Sequence, residues 1–213
     1  MRPVVLDTGE FVGLAGERLR PEPPEAVDVL SNPRGDHSLQ DEPYVPPPTP
    51  KPAAVLVPIV MRPGEPTVLF TERAAGLREH SGQIAFPGGR VDPTDGSPLN
   101  AAYREAEEEI GLERARVSPL GYLDPYLSST GYLVIPVVGL VTPGYSLTLN
   151  PHEVADTFEV PLHVLMDPDR HELHAREWKG RLRRYYAIPY GERYIWGVTA
   201  GIVRNMYERL YGS

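Results

Sequence analysis

The run REAEEE, Arg104 to Glu109, places Glu105, Glu108 and Glu109 at i, i+3 and i+4. On a helix these three carboxylates project to one side, where each like-charged pair costs roughly 0.2–0.5 kcal/mol. Two readings follow. The stripe is a solvated surface on which Arg104 pairs with Glu108, or the carboxylates grip a cation. A hard divalent ion suits the second reading, because Mg²⁺ takes oxygen ligands in an octahedron and keeps several waters. A substrate phosphate would complete the shell. The preceding loop favours the cation. Phe86-Pro87-Gly88-Gly89 ends an apolar stretch in a turn whose glycines allow close backbone approach to a ligand.

The elements that must carry these residues follow from pattern. Ser97 is placed to cap the acidic helix, Pro98 sits at its first position, where a missing N–H costs nothing, and Gly111 ends it. Ala102, Ala106 and Ile110 form a neighbouring stripe that can pack on a sheet, and Glu107 points to solvent. Ala53–Met61 is a β-branched run bounded by turn residues and predicts a buried strand, paired as a hairpin with Thr67–Arg73. Gly82–Phe86 predicts a short strand. Val117–Tyr126 and Tyr132–Thr142 predict strands around the loop Leu127–Gly131. Val160–Asp167 predicts a short helix, His171–Gly180 and Arg181–Gly191 a second hairpin, and Val198–Gly212 an amphipathic helix. The layout is α+β, a mixed sheet with flanking helices.

Residues 1–52 hold 11 of the 25 prolines and are set apart from 53–213. They predict a flexible tail, or an arm that wraps the domain or a partner subunit through Phe11, Leu14, Val27, Leu30 and Tyr44. Together with the C-terminal helix, the arm leaves room for a homodimer. Formal net charge is −8, which argues against nucleic acid as a partner. No cysteine is present, so thiol nucleophiles, disulfides and zinc–thiolate sites are excluded. The apolar runs are far shorter than the ~20 residues of a membrane helix, and the first ten residues lack a signal-peptide core. The expectation is a cytoplasmic protein with no membrane partner. His171 and His174 lack further ligands nearby in sequence. The Arg and aromatic residues of Arg183–Tyr190 alternate as a packed strand does, rather than forming a single-strand nucleic-acid platform.

The segment from Gly88-Gly89 through the acidic linker to Arg104-Glu105-Ala106-Glu107-Glu108-Glu109-Ile110-Gly111-Leu112 closely resembles the signature box of the Nudix hydrolases. The second half matches without gaps. Between Gly89 and Arg104 there is one residue more than usual, and the acidic position of the first half falls on Asp95 or Asp92. Upstream, Leu69–Gly89 resembles the additional motif of the coenzyme A diphosphatase branch at Leu69, Thr71, Arg73, Ala74, Arg78, Gly82 and Phe86–Gly89, with Phe70 where Leu is usual. The resemblance spans roughly Ala53 to Met166.

It implies a Nudix-like α/β/α sandwich and Mg²⁺- or Mn²⁺-dependent hydrolysis of coenzyme A or acyl-coenzyme A. The products would be 3′,5′-ADP and 4′-phosphopantetheine or its acyl form. Glu105 and Glu109 are then the expected metal ligands, and Glu108 is a third ligand or a base acting on water. Glu153 is a further candidate base or ligand, and Arg104 would hold a glutamate in place. Arg73 and Arg78 are expected to bind the phosphates, for which a guanidinium fork is well shaped. Gly88 and Gly89 approach the substrate, and the Gly89 carbonyl offers a metal ligand. His80 is placed to approach the substrate, although a lone loop histidine is more often a bystander than a catalyst. Two other readings remain open: a Nudix diphosphatase of ADP-ribose, a dinucleotide or a nucleoside triphosphate, and a non-catalytic nucleotide-binding module.

Overall fold

The computed structural model of the chain describes residues 7–24, 34–41, 49–77, 80–178 and 180–212. β1 (Lys51–Val60) is its axis. On one side β1 pairs in parallel with β7 (Tyr132–Val141), from Lys51↔Tyr132 to Val60↔Val141. On the other it pairs antiparallel with β2 (Thr67–Arg73), as a hairpin through Ile59↔Val68, and with β4 (Gly88–Arg90) through Ala53↔Arg90. β3 (Ile84–Ala85) and β8 (Val154–Pro161) both pair with β2. β5 (Val117–Tyr122) and β6 (Tyr126–Leu127) pair with β7. This mixed sheet is joined by a separate antiparallel one, in the order β11 (Arg193–Trp196), β10 (Arg181–Tyr190), β9 (Glu172–Trp178).

Alternation along β1 divides the core in two. Ala54, Leu56 and Val60 face α2 (Pro98–Ile110), which buries Ala102, Ala106 and Ile110 against them. Ala53, Val57 and Ile59 face the opposite layer, built from α4 (Val198–Tyr211), the single turn α3 (Leu162–Leu165) and α1 (Thr8–Arg18). The result is the expected α+β arrangement, a mixed sheet with helices on both faces.

Several elements differ from the expectation, among them Gly88–Arg90, expected as part of a turn and found as strand β4 on β1. The pattern predicts no helix before Ser97, yet Thr8–Arg18 is one. Asp7 accepts from Glu10 N at 2.9 Å as its cap, and Phe11 and Ala15 are fully buried. Its short apolar stripe is stabilised by packing on the domain rather than by propensity. Val27, Leu30 and Tyr44 lie outside the described residues. Val154–Pro161 pairs with β2 as a strand, and Arg193–Trp196 extends the second hairpin into a third strand. Near the N-terminus, the Gln40 carboxamide accepts from Arg184 N at 3.0 Å and donates to Arg184 O at 2.7 Å. It thus mimics a strand neighbour on an open stretch of β10. No helix among the described residues is long and apolar enough to cross a membrane.

Candidate active site

The acidic helix is anchored at both ends. Ser97 Oγ accepts from Asn100 N at 3.1 Å, and Gly111 takes a left-handed φ of 67°. The missing Cβ also leaves room for a later loop, since an added one would come 3.0 Å from Thr148 N; there Thr148 N donates to Ile110 O and Asn150 N to Glu109 O, both at 2.9 Å. The same loop carries Glu153, whose carbonyl accepts from Ala74 N at 2.8 Å. Residues far apart in sequence are thereby drawn around the C-terminal half of α2.

The three box glutamates occupy different environments. Glu109 is 4% exposed, and its Oε2 accepts from Gly88 N at 3.1 Å. Burial pushes its pKa up to about 7; Glu105 and Glu153 push the same way, while the Gly88 amide and Arg73 oppose. Glu105 lies against Gly89, where a Cβ would come 2.5 Å from its Cδ. Burial raises the Glu105 pKa too, opposed by Arg104 and reinforced by Glu108 and Glu153. Glu108 stands further out, its side chain 57% exposed.

Arg104 organises the outer part. Its Nε and Nη2 donate to the two oxygens of Asp95 at 2.8 and 3.0 Å, a bidentate fork. Nη1 donates to Glu105 at 2.9 Å and to Glu108 at 3.0 Å, and Nη2 also reaches Arg90 O at 3.1 Å. Asp95 is held below the usual carboxylate range by this guanidinium. Asp92 instead accepts from Thr94 N at 2.9 Å and shapes the turn. Asp95, not Asp92, therefore fills the acidic position of the linker, and the extra residue before the helix is absorbed between Asp95 and Arg104.

Arg73 Nη1 lies 4.0 Å from Glu109 Oε1, and its buried Nε has no hydrogen-bond partner. The side chain as a whole is 29% exposed, so its terminal nitrogens are open to a ligand oxygen, while the buried Nε goes unpaired at a cost of about 1–3 kcal/mol. Arg78 lies outside the described residues. His80 has a φ of 59°, in the left-handed region, and its Nδ1 pairs with Gln83 Oε1 at 2.8 Å. That pairing fastens the loop that returns to Arg73, since Gly82 N donates to Arg73 O at 3.1 Å.

Among the described residues no group of three or more His, Asp or Glu side chains is drawn together closely enough to hold an ion. The donors nevertheless fit a hard divalent cation. Glu105 and Glu109 offer carboxylate oxygens one turn apart. Glu105 raises the proton affinity of Glu109 when no cation separates them, and Glu153 raises that of both. Glu105 and Glu109 would hold the ion, with Glu108 and Glu153 as outer carboxylates.

The NUDIX domain family matches residues 50–182. "Uncharacterized Nudix hydrolase NudL" of Photorhabdus laumondii is 46% identical over 158 residues, covering 74% of this chain and 84% of that protein. The Yersinia pestis protein of the same name is likewise 46% identical over 158 residues, covering 74% of this chain and 79% of its own. Among solved structures, the NUDIX domain of Shewanella oneidensis NrtR, complexed with ADP ribose, aligns over 88% of this chain and 99% of that one, with 16% identity and a TM-score of 0.49. The box geometry thus has its explanation: the chain belongs to the Nudix hydrolase family. Members act on small-molecule substrates and generally use divalent metal ions, so this chain is a hydrolase of a nucleoside diphosphate derivative.

Proposed function

We propose that the substrate is coenzyme A or an acyl derivative, cleaved at its diphosphate to 3′,5′-ADP and 4′-phosphopantetheine or the acyl form. The observation that carries this reading is Arg73. It lies in the stretch that resembles the coenzyme A branch, and its partly exposed guanidinium brings Nη1 to 4.0 Å from the carboxylate of Glu109. Its guanidinium would bind a diphosphate oxygen, and Arg78, from the same sequence motif, would add a second cation.

In the reaction the water oxygen forms a bond to one phosphorus, the bridging oxygen leaves with the other, and the water's proton passes to a glutamate. Glu153 and Glu108 are the candidates to accept it. Glu153 comes from outside α2, and Glu108 is exposed enough to exchange the proton with solvent. Arg104 is a positioning residue that fixes Glu105 and Glu108 relative to Asp95. When bound, Mg²⁺ or Mn²⁺ would lower the pKa of water and neutralise phosphate oxygens. Orientation and charge neutralisation supply most of the rate in phosphoryl transfer.

A substrate panel tests the reading: coenzyme A, acetyl-coenzyme A, ADP-ribose, a diadenosine polyphosphate and ATP, each with Mg²⁺ or Mn²⁺, with products separated by mass. Preferred release of 3′,5′-ADP from coenzyme A is the expected result. Faster cleavage of another substrate, or binding without cleavage, overturns it.

A further inference from the structure

A second group of cations lies across the sheet from the carboxylates. Gly89, opposite Ala54 on β1, meets Glu105. Arg90, opposite Ala53, follows the strand alternation to the other face. There its Nε and Nη2 donate to Tyr132 Oη at 3.1 and 2.8 Å, and its guanidinium lies 5.6 Å from the ring centroid. Lys51 Nζ lies 5.4 Å from the same centroid. Lys51 and Arg90 are exposed, and Tyr132 is half-buried.

Most arginines of the chain are neutralised by carboxylates, whereas these two cations, like Arg114 on Tyr103, rest on an aromatic ring. The chain has 29 acidic and 21 basic residues, and Arg20, Arg34, Arg62, Arg104, Arg184 and Arg193 all have carboxylate partners. Among the described residues Lys51 and Arg90 have none within ion-pair distance; their common partner is the aromatic ring. Cation–π attraction offsets part of the repulsion between them. The Tyr132 hydroxyl accepts from Arg90 and keeps its own proton to donate. Two cations and one hydroxyl donor suit a phosphate dianion.

This group is joined to the active site through β4. Arg90 O accepts from Arg104 Nη2 at 3.1 Å, and Arg90, though neither Lys51 nor Tyr132, lines a cavity of about 520 Å³ together with Asp92, Thr94, Arg104, Glu105 and Glu108. Lys51 lies two residues, or about 7 Å, further along β1 than Ala53. On the proposed function the diphosphate would be served from the other face, by Arg73, whose Nη1 lies 4.0 Å from Glu109. We propose that Lys51 and Arg90, held on Tyr132, form a subsite for a phosphate monoester that the substrate carries beyond its diphosphate. The subsite makes the enzyme discriminate in favour of nucleotides bearing that group. On the coenzyme A reading, on which the identity of the group rests, it is the 3′-phosphate of the ADP half.

The test compares wild type with Lys51→Ala, Arg90→Ala and the double variant. First, turnover of coenzyme A is divided by turnover of 3′-dephospho-coenzyme A at limiting substrate. Second, calorimetry measures binding of 3′,5′-ADP against 5′-AMP. Charge-assisted contacts of this kind predict at least a ten-fold fall in both ratios for the double variant, with partial recovery in Arg90→Lys. An unchanged ratio overturns the subsite, as does an equal loss on both substrates, which would assign the cations to the diphosphate. A wild type that does not prefer 3′,5′-ADP over 5′-AMP also overturns it. Failure of wild type to cleave coenzyme A, with the 3′,5′-ADP preference intact and lost in the double variant, would sink the coenzyme A reading and leave the subsite standing.

Discussion

Glu109→Gln should make the protein more stable in metal-free buffer and nearly inactive when Mg²⁺ is supplied. The carboxylate is 4% exposed, accepts from Gly88 N, and has its proton affinity raised from 4.5 to about 7, chiefly by burial. At about 1.4 kcal/mol per pH unit, ionising it in the folded state costs about 3 kcal/mol relative to the unfolded chain. The sign is set by the raised folded value. The contribution is fully present below pH 4.5, and is lost as pH rises through about 7. Glutamine has the same shape and keeps an oxygen for the Gly88 amide, but carries no charge to desolvate. Urea unfolding with a chelator at pH 5 and pH 8.5 should therefore show the variant gaining up to about 3 kcal/mol over wild type at pH 8.5 and little at pH 5. Added Mg²⁺ should reverse the order once it exceeds its Kd about a thousand-fold, since that stabilises by about 4.1 kcal/mol and only wild type would bind it well. Hydrolysis should fall by about 10²–10³, the usual scale for removing one electrostatic contributor. A variant with full activity, or one no more stable than wild type at pH 8.5 without metal, would refute the reasoning.

The Arg104–Asp95 fork should behave as one unit. Arg104→Ala and Asp95→Asn each lower kcat by about ten-fold or more, and a double-mutant cycle should show coupling of about 1–3 kcal/mol, with Arg104→Lys failing to restore the fork. Gly89→Ala should displace the Glu105 carboxylate, cutting kcat and Mg²⁺ affinity while costing about 1–3 kcal/mol of stability, read by activity and thermal melting. Phe11→Ala should cost about 3–5 kcal/mol in urea unfolding, because its ring is fully buried between α1 and the sheet; a cost below about 1 kcal/mol would mean that α1 does not belong to the cooperative core.

Features encoded by near neighbours are legible in the order of the residues. Ser97, Pro98 and Gly111 specify the ends of α2 because caps act within one turn. The 3.6-residue period separates Ala102, Ala106 and Ile110 from the glutamates, and β-branched runs mark β1, β2 and β7. Glu105, Glu108 and Glu109 stand out by spacing alone. What spacing does not show is how unlike they are: Glu109 is buried on Gly88 N, and Glu108 is mostly exposed. That difference depends on where α2 lies against β4. The choice between Asp95 and Asp92 needs the reach of Arg104. The helix at Thr8–Arg18 is not legible, because its own residues are weakly patterned and its stability comes from contacts beyond the segment.

The sequence by itself determined the acidic helix, its boundaries and its chemistry, because those depend on residues within a turn of one another. Only the tertiary structure decided which distant groups face that helix. It brought Arg73 from β2, Gly88 from β4 and Glu153 from the loop before β8 onto one carboxylate patch, and it gathered Lys51, Arg90 and Tyr132 on the far side of the sheet. Strand pairing and register make those meetings, and both are settled by the burial of whole faces rather than by any local run of residues.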